Sequence, residues 1–185
     1  MNPTDRARQY LALAQIFTFP RPEVWQPLER DGVTPARSQD EREADYLATF
    51  ELGGEQSSVP LYEGLCRPGD GREGILEDVM RFNEFFGVRL QEANRDYPDH
   101  LVTELEFMAF LCQQEAAAEA AGKDADSFRR ASRDFLQRHL LVWVPGFAER
   151  LAGGKTDYGE IAQALAEFCQ EHADELGEMK EGVLP

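Results

Sequence analysis

The chain has 185 residues, 42% of them hydrophobic and 10% aromatic, and carries 35 acidic against 19 basic side chains, a formal net charge of -16. That apolar content is enough for one packed core in a chain of single-domain length, and it excludes general disorder. The negative field repels phosphate backbones and anionic lipid, which excludes nucleic acid and stable membrane association; it steers cationic partners inward, although acidic surfaces also serve solubility.

The opening Met1-Asn2-Pro3-Thr4-Asp5-Arg6 has no basic stretch followed by an apolar one and a small-residue cleavage site, so a cytoplasmic protein is expected. Residues 5 to 19 place Ala7, Tyr10, Leu11, Ala14 and Phe17 at helical spacing until Phe19-Pro20-Arg21-Pro22 stops them. A polar, proline-containing passage follows to Pro35. Residues 40 to 52 return to a helical pattern with Tyr46, Leu47 and Phe50, and the charged run Asp40 to Asp45 reads as a solvated face. From Gly53 to Gly74 the periodicity dissolves around one short motif, Val59-Pro60-Leu61-Tyr62-Glu63, and long ordered loops of this kind carry function.

Residues 75 to 95 predict an amphipathic helix through Ile75, Leu76, Val79, Phe82, Phe85 and Phe86; residues 98 to 121 predict another through Leu101, Leu105, Met108, Leu111 and Cys112. A helix over 124 to 141 carries Phe128, Phe135, Leu136, His139 and Leu140, and the apolar segment Trp143 to Phe147 is broken by Pro145-Gly146. The last helix, 157 to 176, presents Tyr158, Ile161, Leu165, Phe168 and Cys169. There is no alternating strand pattern, internal repeat or low-complexity tract. The expectation is an all-α, single-domain globular helical bundle over residues 1 to 185, with a long loop around residues 53 to 74.

Cys66, Cys112 and Cys169 are odd in number and far apart, and read as reduced thiols. Tyr97-Pro98-Asp99-His100 opens the helix that continues Leu101-Val102-Thr103-Glu104. Pro98 suits a first helical position and Asp99 complements the positive end of the dipole, whereas a histidine at 100 brings a positive charge toward the wrong end. Asp96, His100 and Glu104 follow at steps of four, but Pro98 interrupts the continuous helix that would align them as metal ligands, and the doubled Glu-x-x-His of di-iron bundles is absent. Gly153-Gly154-Lys155-Thr156 lacks the upstream glycine of a phosphate loop, Glu149 standing there, and reads as helix caps. His172 and His139 sit on apolar faces and read as packed core residues. No catalytic residue, metal site or cofactor is assigned.

Three passages together resemble the TorD/DmsD/NarJ superfamily of redox-enzyme maturation chaperones: Ala44-Asp45-Tyr46-Leu47-Ala48-Thr49-Phe50 leading to Pro60-Leu61-Tyr62-Glu63; Pro98-Asp99-His100 leading to Glu104-Leu105-Glu106-Phe107-Met108; and Phe135-Leu136, His139-Leu140, Trp143, Pro145 and Phe147 in order. The Pro-Leu-Tyr-Glu form of the loop is more similar to the branch serving type II DMSO-reductase-family enzymes. The resemblance implies a cytoplasmic, non-enzymatic chaperone, monomer or homodimer, for the molybdenum-containing catalytic subunit of such an enzyme. It would bind the precursor through its twin-arginine signal peptide or another segment of the apoprotein, and hold it until the cofactor is inserted. The family's Pro-x-Asp-His element appears here without the intervening residue. On this resemblance Tyr62, Glu63, Phe86, Pro98, Asp99, His100, Leu101 and Glu104 form the peptide-binding surface. Glu63, Asp99 and Glu104 are the expected partners of the arginines, and Tyr62, Phe86 and Leu101 the apolar wall. The competing expectations are a generic helical adaptor and a helical-bundle metalloenzyme.

Overall fold

The computed structural model describes residues 1–52, 58–67, 69–89, 97–154 and 156–181. In chain order the helices are α1 (Pro3–Ile16), α2 (Pro22–Arg30), α3 (Gln39–Tyr46), α4 (Glu63–Cys66), α5 (Arg72–Phe85), α6 (Leu101–Ala120), α7 (Asp126–Phe135), α8 (Leu141–Ala152) and α9 (Tyr158–Glu181), with π-helical turns over Leu47–Glu51 and Leu136–Leu140. The fold is all-α: among the described residues the β geometry consists of an isolated antiparallel bridge between Tyr62 and His100. No helix among them is long and apolar enough to cross a membrane.

Local sequence sets the helix starts. Asn2 accepts the Asp5 N–H at 2.9 Å ahead of Pro3, and Ser38 with Glu41 forms a reciprocal capping box on α3, so orphan N–H groups at both ends find oxygen acceptors. α1 packs along α6, α8 along α9, and α6 against α7. Their apolar faces merge into one buried cluster. At one end Phe17 meets Phe50, Phe147 and Tyr158 at 6.4, 5.9 and 6.0 Å between ring centroids, distances at which tilted aromatic pairs add to area burial.

Several expectations are corrected. The polar passage before Pro35 contains α2, because Pro22 and Pro27 are compatible with a short amphipathic helix that buries Trp25. The charged run on α3 is not a fully solvated face: Arg42 is buried, its guanidinium 4.3 Å from the Trp25 ring and its Nε donating to Glu29 at 2.8 Å. α5 begins three residues before the expected start, and residues 90 to 95 of the expected helix lie outside the described residues. Pro145 does not break the segment; α8 runs through it, with the proline near the start of the helix. α6 starts at Leu101, so Pro98 and Asp99 belong to a turn and His100 is the N-cap. Within the long loop α4 is an unexpected single turn, while residues 53–57 and 68 lie outside the described residues.

Candidate functional site

The loop 58–63 and the turn 97–101 run antiparallel, tied by Glu63 N–H to the Asp99 carbonyl and Leu101 N–H to the Leu61 carbonyl, each at 2.8 Å. The Tyr62 and His100 rings meet edge to face at 4.8 Å. His100 Nδ1 accepts the Val102 N–H at 3.2 Å. An accepting ring nitrogen carries no proton, which removes the dipole conflict that the sequence raised. Tyr62 and Pro98 are half-buried, and Tyr97 is 59% exposed.

Beneath this turn lies a sealed polar layer. Glu63, Asp99 and Glu104 are all completely buried. Glu63 faces His139 Nδ1 at 2.8 Å and is ion-paired with Arg67. His139 Nε2 lies 3.2 Å from Asp78, so the imidazole stands between two carboxylates. Arg67 also donates to the Arg138 carbonyl at 3.1 Å, which ties α4 to the π turn before α8. Glu104 accepts the Trp143 indole N–H at 3.0 Å. Burial, and then the charge of Glu63, push the Glu104 carboxyl well above the usual carboxylate range, because both disfavour its charged form. Asp99 accepts from Gly64 N–H at 3.2 Å and from two donors on one edge of the Arg72 fork, Nε at 3.1 Å and Nη2 at 3.3 Å.

Seven of the eight expected site residues therefore converge on the turn or on the layer below it, and the eighth, Phe86, does not. Phe86 lies just past the far end of α5, whose 14 residues set it roughly 20 Å from Arg72. There it joins Phe82 and Phe85 in a groove of about 470 Å³ between α5 and α7, whose charged lining is Asp78, Asp134, Arg81, Arg130 and Arg138; Phe85 is 81% exposed. Leu101 is buried beneath the turn and forms no wall. The three carboxylates expected to meet client arginines already have internal partners. Direct pairing with an incoming arginine would first require one of those partners to leave.

Sequence reasoning missed Arg67, Arg72 and Asp78, and took His139 for plain core. A signal was present: His139 and Trp143, four apart on one helical face, are both polar-tipped members of an apolar run. The other candidates resolve locally. Thr156 Oγ1 accepts the Tyr158 N–H at 3.3 Å and donates to Asp45 at 3.0 Å, capping α9; Lys155 lies outside the described residues. His172 pairs its Nδ1 with the Tyr10 hydroxyl at 2.9 Å, and burial drives its pKa down to about 3. Asp96 of the step-of-four series lies outside the described residues. Among the described residues no group of three or more His, Cys, Asp or Glu could hold a metal ion.

The family model of the nitrate reductase delta subunit matches residues 11–149. The chain is 51% identical over 178 residues to the selenate reductase assembly chaperone protein of Thauera selenatis, covering 96% of this chain and 92% of that one. With the chlorate reductase assembly chaperone protein of Ideonella dechloratans it shares 48% identity over the same fractions. A crystal structure from Archaeoglobus fulgidus, described as a redox enzyme maturation protein, superposes with a TM-score of 0.57 at 16% identity, over 89% of this chain and 93% of that one, a likeness of fold.

Proposed function

Because the chain belongs to the nitrate reductase delta subunit family, we propose that it is the assembly chaperone of a molybdenum-containing catalytic subunit of the DMSO-reductase family. It acts by binding and not by catalysis. In the cytoplasm it holds the precursor of that subunit, by its twin-arginine leader or another apoprotein segment, until the cofactor is in place and export or assembly proceeds.

The observation that carries this proposal is the similarity, over nearly the whole chain, to two assembly chaperones of oxyanion reductases. The geometry is consistent with it and revises how a leader would be met. A twin-arginine leader combines two guanidinium groups with an apolar segment. Glu63 and Glu104 act as the rigid floor of the turn, while first contact falls to the groups that reach solvent: Tyr97, the edge of Tyr62, and the Phe82, Phe85 and Phe86 groove. Arginine stacks on aromatic faces as well as pairing with carboxylates, and an apolar segment suits a groove with an exposed phenylalanine.

The test is calorimetric titration of the purified protein with the leader peptide of a molybdoenzyme subunit from the same organism, alongside the same peptide with both arginines replaced by lysine. Selective binding of the arginine form is expected. If neither peptide binds and a pull-down with the full precursor recovers nothing, the assignment is wrong.

A further inference from the structure

Arg72 is the first residue of α5, preceded by Gly71 at φ 75, so its cation lies at the positive end of a helix, where the dipole disfavours it. What holds it there has the make-up of a ligand site. The guanidinium engages the wholly buried Asp99 through two N–H donors on one edge of its fork. It also lies 4.8 Å from the Tyr97 ring centroid and 5.3 Å from that of Tyr62. A Cβ at Gly64 would overlap the Arg72 stem, so the backbone of α4 is shaped to let this side chain through. Arg72 remains 33% exposed and closes the site from outside.

We propose that Asp99, Tyr62 and Tyr97 form a guanidinium-binding site of which Arg72 is the resident occupant, displaced by an arginine of the bound polypeptide. The proposal rests on the chaperone function above in taking its ligand from an arginine-bearing client. Exchange of one guanidinium for another conserves the buried ion pair, so Asp99 is never left uncompensated. The barrier to entry is competition with a tethered group whose effective concentration is in the range of mM. A free arginine loses that competition, whereas one held in place by further contacts wins it. Lysine, a point charge without the planar fork, cannot make the paired contact and the stacking together. Arg72 thus sets specificity: apparent affinity equals the intrinsic affinity reduced by the fraction of molecules in which Arg72 has left.

The test compares wild type with Arg72→Ala, Arg72→Gln and each of these combined with Asp99→Asn. Thermal melting is followed with argininamide and with lysinamide, and binding of the twin-arginine and twin-lysine leader peptides is measured by calorimetry. Arg72→Gln keeps an amide donor near Asp99 and stands in if the alanine variant does not fold. Argininamide is expected to raise the melting temperature of the Arg72 variants by several degrees, with little effect on wild type and none from lysinamide. The Arg72 variants are expected to bind the twin-arginine peptide about tenfold more tightly than wild type, and Asp99→Asn added to either Arg72 variant is expected to abolish both responses. Equal responses to argininamide and lysinamide, or peptide affinity in the Arg72 variants no better than in wild type while wild type does bind, overturn the proposal. Rescue of the Arg72 variants by argininamide, with no leader binding by any protein, upholds the guanidinium site and rejects the leader as its ligand.

Discussion

Asp99 and Glu104 lie five residues apart, both with no exposed surface, yet they are stabilised in opposite ways. Asp99 is covered by a guanidinium that itself touches solvent; Glu104 is covered by an indole and lies deep enough that burial raises its pKa well above the usual range. The outer acid is neutralised by a cation at the surface, and the inner one is pushed toward its neutral form by burial and capped by a fixed donor. Burial alone therefore does not distinguish a binding group from a structural one. What distinguishes them is whether the neutralising partner can exchange with something from solution.

If the inner layer is structural, its variants should act on stability, and the largest loss should come from Glu63→Ala. That change strips Arg67 and His139 of their shared carboxylate and should cost about 3–5 kcal/mol, the usual result of breaking one side of a buried pair, measured by urea denaturation. A loss under about 1 kcal/mol would show the layer to be wetter and looser than its geometry. Next, Trp143→Phe keeps an aromatic ring but removes the donor to Glu104, and a loss of about 1–3 kcal/mol is expected from the unsatisfied carboxyl.

Glu104→Gln should be milder, within about 1 kcal/mol near pH 5, since the amide mimics a protonated acid. Its informative effect is on pH dependence. The folded pKa of Glu104 is raised above the unfolded value near 4.5, so the folded state binds more protons in the window between the two. The associated stability is fully present below about pH 4.5 and is lost as pH rises toward the folded pKa. His172 has the opposite slope: its depressed folded pKa of about 3 means stability is lost as pH falls from about 6.5. The difference between wild type and Glu104→Gln isolates the glutamate, and wild type should lose ground to the variant as the urea midpoints are followed from pH 5 to pH 8. A constant difference would mean that Glu104 ionises normally.

The smallest stability effects belong to the outer surface. Phe85→Ser and Tyr97→Ala should each move stability by no more than about 0.5 kcal/mol, since both side chains are mostly in solvent. Each should nevertheless weaken leader binding in calorimetry, Tyr97→Ala by about tenfold from the lost stacking. Loss of stability without loss of affinity would reverse the assignment of inner and outer roles.

Much of the architecture was legible because helical periodicity is local. Tyr10, Leu105, Phe135 and Leu165 announce their buried faces through neighbours three and four residues away. The prolines misled where position within a helix decides their effect: the proline-containing passage before Pro35 holds α2, with Pro22 at its start and Pro27 inside it, while Pro98 suggested a first helical position and stands before the N-cap. In the site, the antiparallel meeting of Tyr62 with His100 follows motifs already visible in the chain. Arg72 gave no such sign, because a lone arginine at a loop boundary has no pattern.

By itself the sequence determined the all-α class, the amphipathic faces that build the core, and the motif order that leads to the family. Those are properties of short range, written in spacings of three and four residues and in the residue types of short segments. The tertiary structure alone decided what the acidic groups do. Glu63 meets His139 across 76 residues of chain, Glu104 meets Trp143 across 39, and Asp99 meets Arg72 across 27. A carboxylate's charge, partner and accessibility depend on which distant element covers it, and no local pattern encodes that cover.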